Sequence, residues 1–142
     1  DSVNHTIADL GMSRSHMGRK MLGRKATTAD GENWVTPADL NRSILAILNE
    51  TAASPESCEQ MKTMLSRQDS ARRVTRHAPE GSRWGSKPGM LPGVINDAGF
   101  IETSRGAAAI SVCCEGFEHD HEAEQAIAEI AHAGLCALGL AE

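Results

Sequence analysis

The sequence predicts an α+β fold in which an antiparallel sheet is flanked by helices. Helix-start signals in residues 36–65 precede strand patterns in residues 84–114, and short turn sequences separate the strand patterns. Such short connections favour hairpins over crossover connections. The chain has 142 residues, 40% of them hydrophobic and 23% charged. This length and composition suffice for one domain with a buried core.

The first half of the chain carries the helix signals. Residues 4–10 predict a short helix, whereas residues 12–34 have no stable period and predict a long loop with one helical turn at residues 19–22. Thr36 and Ser54 each precede a proline, which is typical of a capped helix start. The apolar faces expected behind these caps are Leu40, Ile44, Ile47 and Leu48, then Cys58, Met61 and Leu65. The basic stretch in residues 67–77, with Arg72, Arg73 and Arg76, is expected to be a solvated linker.

The second half carries the strand signals. We expect three strands, at residues 84–87, 94–102 and 107–114. Pro88-Gly89 and Pro92-Gly93 are turn formers, and residues 103–106 form a hairpin turn. A final helix begins near Asp120, where acidic residues suit the positive end of the helix dipole. Its expected buried face is Ala123, Ile127, Ile130 and Leu135.

Composition limits the classes of partner and cofactor. A net charge of −5 predicts no nucleic-acid partner. We expect no membrane span, because no run is long and apolar enough and no basic-then-apolar leader opens the sequence. The four cysteines lack the spacing of a disulfide scaffold, so free thiols are favoured over two disulfides. Ligands at the His119-Asp120-His121 helix start would diverge, so we expect no metal and no other cofactor there.

The strongest chemical signal is the segment G-S-K-P-G-M-L-P-G-V at residues 85–94. It places a lysine between small residues at the lip of the predicted sheet, where an ammonium group can meet an anionic substrate group. We therefore predict Lys87, Ser86, Gly89 and Met90 as substrate-binding residues. Without further context, a solvated strand-end lysine is the preferred interpretation of Lys87. Asp97, just beyond the segment, is interpreted as a structural hydrogen-bond acceptor.

This segment resembles the K-T-G strand and following hairpin of the class A beta-lactamase-like family of penicillin-recognising serine hydrolases, whose full signature is S-x-x-K, S-D-N and K-T-G. Other segments resemble the family in the same order. L-G-M at residues 10–12 and M-G-R-K-M at residues 17–21 are similar to the segment entering the omega loop, and E-N-W-V-T-P-A-D-L at residues 32–40 is similar to the following helix start.

The resemblance implies that residues 1–142 are the C-terminal portion of one beta-lactamase-like domain. A helix and omega-like loop would occupy residues 1–35, helices residues 36–80, and strands with the final helix residues 81–142. In the family, the nucleophilic serine lies upstream. No serine here is followed by lysine three positions later. Ser2-Val3-Asn4 has the S-x-N form but stands too close to Leu10-Gly11 for the family's normal spacing, so a chance match is favoured over a true S-x-N motif. We assign no catalytic residue in this chain, and expect the serine on a second chain or a cleaved N-terminal half.

Two other departures bear on the chemistry that the resemblance implies. Arg19-Lys20-Met21-Leu22 stands where the family's omega loop carries the glutamate that activates the deacylating water. Pro88 replaces the threonine of K-T-G and has neither hydroxyl nor N–H, so Ser86 would have to substitute from the other side of Lys87. Met90 matches the position whose backbone N–H serves the oxyanion hole.

Two function classes stay open. In the first, the chain is part of a serine hydrolase or acyltransferase acting on an amide or ester of a small acyl substrate, without efficient beta-lactam hydrolysis. In the second, it is a non-catalytic binding or interaction domain descended from the same family. Family members are commonly secreted or periplasmic, and a cytoplasmic location stays open as well.

Overall fold

The computed structural model describes residues 2–21, 27, 31–68 and 71–142, and in these residues it confirms the predicted α+β fold. The helices are α1 (Ser2–Asp9), α2 (Pro37–Leu48), α3 (Pro55–Leu65) and α4 (Asp120–Ala137). One antiparallel sheet consists of β1 (His16–Met17) and β2 (Asn33–Trp34). The other consists of β3 (Arg83–Leu91), β4 (Val94–Thr103) and β5 (Gly106–Glu115), in the order β3-β4-β5.

The three-stranded sheet carries apolar packing on both faces. On one face, Ile95 of β4 packs in a cluster with Val112 of β5 and Ile127 of α4. On the other face, Phe100 of β4 packs with Ile44 of α2. Because successive side chains of a strand point to opposite faces, the odd residues of β4 face α4 and its even residues face α2 and α3. None of the helices in the described part of the chain is long and apolar enough to cross a membrane.

Strand β3 is longer than the sequence predicts, because Pro88-Gly89 lie inside it. The turn to β4 is formed by Pro92-Gly93 instead, where Gly93 has a φ of 74°. A proline is tolerated in an edge strand when its missing N–H would point away from the neighbouring strand. β3 is an edge of its sheet, so Pro88 is tolerated there. The prediction that Pro88-Gly89 form a turn was wrong, because both residues pair with β4.

Residues 12–34 contain pairing that the sequence does not predict. His16 of β1 lies opposite Trp34 of β2, so the two short strands close the neck of the loop. Asn4 of α1 fixes this neck: its Oδ1 accepts from Met17 N at 2.8 Å, and its Nδ2 donates to Met17 O at 2.9 Å. Residues 19–21 are not helical, contrary to the predicted turn, and Leu22 lies outside the described residues.

Two residues within the basic stretch at residues 67–77 are buried, so the prediction of a solvated linker was wrong there. Val74 is 1% exposed and Thr75 is 2% exposed. Arg73 donates to Glu124 Oε1 of α4 at 2.8 Å, and only 12% of its side chain is exposed. Arg72 and Arg76 are exposed, as expected of a charged surface, while residues 69–70 lie outside the described part.

The predicted helix starts are confirmed. Thr36 Oγ1 accepts from Asp39 N at 3.2 Å, and Ser54 Oγ accepts from Ser57 N at 3.2 Å. The predicted buried face of α4 was wrong at one position, since Ile130 is 56% exposed. The buried stripe instead follows i, i+4 spacing through residues 123, 127, 131 and 135, with residue 128 beside it, and so turns away from position 130.

The cysteines are all free thiols, as the sequence favours. Cys58 is buried, Cys113 and Cys114 are half-buried on opposite faces of β5, and Cys136 is exposed. The acidic start of α4 serves as a helix start, because His119 N donates to Glu122 Oε2 at 3.1 Å.

A cluster of charges joins α3 to the sheet, and it predicts a pH dependence of stability. Arg83 lies 2.7 Å from one Glu59 oxygen and Lys62 lies 2.9 Å from the other. Hydrogen bonds from Arg83 first and then from Lys62 lower the pKa of Glu59 from 4.5 to about 2. Because the folded-state pKa is the lower one, the ionised carboxylate stabilises the fold above pH 4.5, and this contribution is lost as the pH falls through about 2.

We therefore expect Glu59→Gln to flatten the decline of the melting temperature between roughly pH 5 and pH 2 at low salt. Thermal melts followed by circular dichroism measure this decline. The matched control is Glu56→Gln on the same helix, which should keep the wild-type slope. Equal slopes in the two variants would contradict the assignment to Glu59.

The contact between α3 and β3 predicts that Gly85 cannot carry a side chain. A Cβ at Gly85 would lie 2.7 Å from Leu65 C and from Ser66 N, whereas a Cβ at Gly89 would meet nothing within 4 Å. Because backbone must move to make room, we expect Gly85→Ala to lower the free energy of unfolding by about 1–3 kcal/mol. Gly89→Ala, measured by the same urea denaturation, should stay within about 0.5 kcal/mol of wild type.

Candidate substrate-binding site

Lys87 lies on the sheet face that packs against α2 and α3. Its cross-strand neighbour is Ala98, which belongs to the cluster with Ile44 on that face, and cross-strand neighbours point to the same face. The side chain is exposed, and its ammonium donates to the carbonyl oxygen of Pro88. Within the described residues it forms no ion pair, so its positive charge is available to an anionic group from outside.

The backbone of β3 presents hydrogen-bonding groups to the open edge of the sheet. The Trp84 carbonyl accepts from Ser66 Oγ at 2.7 Å, so this part of the strand points away from β4. Backbone direction alternates along an antiparallel strand, and Ser86, Pro88 and Met90 therefore also point outward. The missing N–H of Pro88 fits this assignment. The Met90 N–H thus faces the same open edge along which Lys87 lies.

Ser86 lies on the other face of the sheet from Lys87. It is 5% exposed, and its hydroxyl lies beside the carboxylate of Asp97, which is 2% exposed. Asp97 Oδ2 also accepts from Val74 N at 3.2 Å, as expected for a structural acceptor. Burial raises the pKa of Asp97, and the hydrogen bonds from Val74 and Ser86 oppose that rise. The structure therefore brings Lys87, Gly89 and the Met90 N–H together, but not the Ser86 side chain.

An apolar groove of about 600 Å³ extends from Lys87 and Gly89 to α2 and α3. Its walls include Val35, Ile44, Ile47, Met61, Met64 and Leu65. Met64 is 57% exposed and Met21, at the rim, is 79% exposed. Large contiguous apolar surface is rare on a soluble monomer and marks a site of interaction. Lys87 therefore lies beside an apolar surface of the kind that packs against another segment or chain.

A second groove, of about 380 Å³, lies between the loop neck and the end of β3. Arg19 N donates to Asn33 Oδ1 at 3.0 Å across the neck, and Met21, Glu32 and Met90 line the groove. Glu32 is a carboxylate beside the site that the sequence reasoning missed. Only the pairing of residues 16–17 with residues 33–34 reveals it, and that pairing leaves no periodic signal in the sequence.

Met21 stands exposed where the resemblance places the omega-loop glutamate, so that position supplies no carboxylate.

Among the residues that the structure describes, no three His, Cys, Asp or Glu side chains are arranged to hold a metal ion. His119 and His121 stack with their ring centroids 5.6 Å apart at the exposed start of α4.

Comparison with known proteins decides the family. A family model described as the beta-lactamase enzyme family matches residues 1–137. The chain belongs to this family. Among solved structures, a beta-lactamase from Sphaerobacter thermophilus shares 47% sequence identity and a TM-score of 0.94, and the match covers 100% of this chain and 54% of that one. The resemblance predicted from the sequence motifs is thereby confirmed.

More distant structures share the fold of this beta-lactamase-family chain. The chromosome-encoded beta-lactamase of Vibrio parahaemolyticus is 19% identical with a TM-score of 0.81, over 96% of this chain and 54% of that one. The protein PBP-A is 18% identical with a TM-score of 0.76, over 96% and 50%. The chain thus spans about half the length of these structures. Among curated proteins, no sequence matches.

Proposed function

We propose that this chain is the substrate-orienting part of a beta-lactamase-like serine hydrolase or acyltransferase that acts on an amide or ester. The observation that carries the proposal is the exposed Lys87 ammonium, which lies at an open strand edge beside an outward-facing Met90 N–H. In this proposal, a completing part supplies the serine of the S-x-x-K motif, because no serine in these 142 residues is followed by lysine three positions later.

The apolar groove supports the need for a completing part. It opens beside Lys87, so a segment that covers the groove would bring its own side chains next to the lysine. Exposed Met21 and Met64 are flexible apolar side chains, which adapt well to a packed partner. The completing part of this proposal buries the groove and places its serine near the open edge of β3.

Each site residue has a distinct role in the proposed reaction. Lys87 attracts an anionic group of the acyl donor and thereby orients the donor along β3. The Met90 N–H donates a hydrogen bond to the oxygen that becomes negative when serine attacks the carbonyl. Gly89 has no side chain, which leaves open space for the donor between these two groups. Because Pro88 has no hydroxyl and Ser86 faces α4, the lysine orients the anionic group without help from either.

The described residues of the loop support acylation without fast deacylation. Hydrolysis of an acyl-serine needs a general base within reach of the attacking water. Met21 cannot act as a base, and Glu32 lies at the loop neck, where its Oε1 accepts from Asn33 N at 3.3 Å. In the proposal, the acyl-enzyme therefore accumulates. This also keeps the second candidate function in view, because Pro88 and Met21 are the changes expected of a descendant that binds without catalysis.

The proposal predicts the effect of removing the lysine in a completed enzyme. The completing part can be taken from the Sphaerobacter beta-lactamase, as the portion that this chain does not span, and fused to this chain. We expect Lys87→Ala to slow acylation of the serine by a fluorescent penicillin. The activation free energy should rise by about 2–4 kcal/mol, because one electrostatic contact to the transition state is lost. Stopped-flow acylation rates measure the effect.

Arg67→Ala, which removes an exposed cation elsewhere, is the matched control and should acylate like wild type. Both variants should unfold at the wild-type temperature. If the fused protein folds and shows no acylation with or without Lys87, the non-catalytic function is the correct one.

The proposal also predicts slow turnover. Intact-mass spectrometry of the fused protein should show a long-lived acyl adduct, and Met21→Glu should shorten its lifetime at least tenfold, because a general base typically contributes about 10²–10⁴-fold. Glu32→Gln should leave the lifetime unchanged. A wild-type protein that turns over penicillin rapidly, and loses that turnover in Glu32→Gln, would instead identify Glu32 as the base.

A further inference from the structure

Four side chains of metal-binding types meet beside α4, on the opposite side of the sheet from Lys87. They are His77, Glu129, His132 and Cys136. The last three are at positions i, i+3 and i+7 of α4 and therefore share one face of the helix. Imidazole, thiolate and carboxylate are the groups that bind Zn²⁺ in proteins. All four side chains belong to this chain and are linked by contacts with one another, so the cluster does not depend on residues outside it.

The thiol and one imidazole already have the separation of two ligands on one ion. Cys136 Sγ lies 3.7 Å from His132 Nε2 and 4.0 Å from His132 Nδ1. With Zn–S of about 2.3 Å and Zn–N of about 2.0–2.1 Å, two ligands of a tetrahedral zinc ion are about 3.6 Å apart. The two residues are also at i and i+4 of one helix, which is the spacing of the two histidines in the helical H-E-x-x-H zinc motif.

The second imidazole has the right distance but not the final orientation. The ring centroids of His77 and His132 are 5.0 Å apart and the rings are tilted by 47°. Two imidazoles on one tetrahedral ion have centroids about 5 Å apart. As they stand, no three such donors in the described part of the chain converge on one point. However, the outer torsion of a histidine side chain is soft, and a turn about it hardly moves the ring centroid. Ring rotation therefore brings the third donor to the ion.

Glu129 is placed to orient His77. Its Oε1 lies 3.8 Å from His77 Nε2. A histidine that binds a metal typically donates its other ring N–H to a carboxylate, which fixes the tautomer and the ring orientation. With Nε2 directed to Glu129, His77 presents Nδ1 to the ion. The ligands are then two imidazoles and one thiolate, and the fourth position of a tetrahedron is left to water.

The charge around the cluster favours a cation. Cys136 lies in the last turn of α4, and no basic residue lies in that turn. The C-terminal end of a helix is its negative end, so it attracts a positive ion. A cavity of about 390 Å³ beside the two histidine rings has room for the ion and its water. The charged walls of this cavity, Arg105 and Glu142, have opposite signs.

We propose that His77, His132 and Cys136 bind a borderline-soft divalent ion such as Zn²⁺, with Glu129 orienting His77. On binding, the thiol releases its proton and the sulfur and the two ring nitrogens each give a lone pair to the ion. The thiolate selects against Mg²⁺ and Ca²⁺, which prefer oxygen ligands. Because His77 lies in residues 71–78 and the other two ligands lie in α4, the ion clamps this segment to the helix.

Cobalt(II) tests the ligands directly, because a tetrahedral Co²⁺–thiolate site has visible d–d bands and a sulfur-to-cobalt charge-transfer band. The sample is the fused protein described above, reduced with a phosphine, so that the rest of the domain covers whatever it covers. We expect one equivalent of Co²⁺ to produce both bands and Zn²⁺ to displace it. Cys136→Ser should remove the charge-transfer band, and His77→Ala or His132→Ala should weaken binding at least tenfold.

Matched variants separate this cluster from other thiols and histidines. Cys113→Ser and His121→Ala should keep the wild-type bands and affinity, because neither residue contacts the cluster. Glu129→Gln should weaken binding about tenfold while keeping the charge-transfer band, as expected of a residue that orients a ligand. Melting temperatures without metal, measured by circular dichroism, show whether each variant is folded.

The clamp has a readout of its own. Zn²⁺ should raise the melting temperature of the wild-type protein and leave that of Cys136→Ser unchanged, because only the folded state holds the site. A folded fused protein without the charge-transfer band, or with a band that survives Cys136→Ser, would overturn the proposal. So would bands that the chain alone shows and the folded fused protein lacks. None of these variants changes Lys87, Gly89 or Met90, so the outcome is independent of the acylation chemistry.

Discussion

The buried carboxylate of Asp97 is the contact on which the arrangement of the site depends. It lies in the middle of β4 and is 2% exposed, where an isolated carboxylate would be costly. The N–H of Val74 and the hydroxyl of Ser86 compensate part of that cost, and the Arg73 charge favours the ionised form. The three groups come from residues 71–78 and from β3. One side chain therefore fixes both the segment beneath α4 and the strand that carries Lys87.

The position of Lys87 follows from this contact. Ser86 lies beside Asp97 on the α4 face, so its neighbour Lys87 points to the α2 and α3 face. At the end of the same strand, Met90 Sδ lies 3.1 Å from Arg73 Nη2, which is itself bound to Glu124 of α4. The strand is thus held at two points on its buried face. This leaves its other face and its outer edge open, as the proposed function requires.

Local signals in the sequence were sufficient for part of the fold. A hydroxyl residue followed by a proline and an acidic first turn is a local helix-start signal, so the starts of α2 and α3 were predictable. Pro88-Gly89 was misread because a proline in a turn and a proline in an edge strand look the same locally; only the pairing of β3 with β4 separates them. The burial of Val74 and the exposure of Ile130 depend on which element packs against which. The opposite faces of Ser86 and Lys87 were predictable, because both residues lie in the predicted strand at residues 84–87 and successive side chains of a strand alternate.

The differences from the family motif concern different steps of one reaction. Proline in place of threonine removes a hydroxyl, but at an outward-facing position it leaves the β3–β4 ladder intact, so the position that the proposed function assigns to Lys87 is unchanged. In the proposed function, the exposed Met21 supplies no base for the step after acylation. Neither change disturbs the Met90 N–H, to which the proposed function assigns the attack itself. In the proposed function, the substitutions therefore weaken the release of the acyl group more than its capture. In that function, the domain forms the acyl-enzyme readily and hydrolyses it slowly.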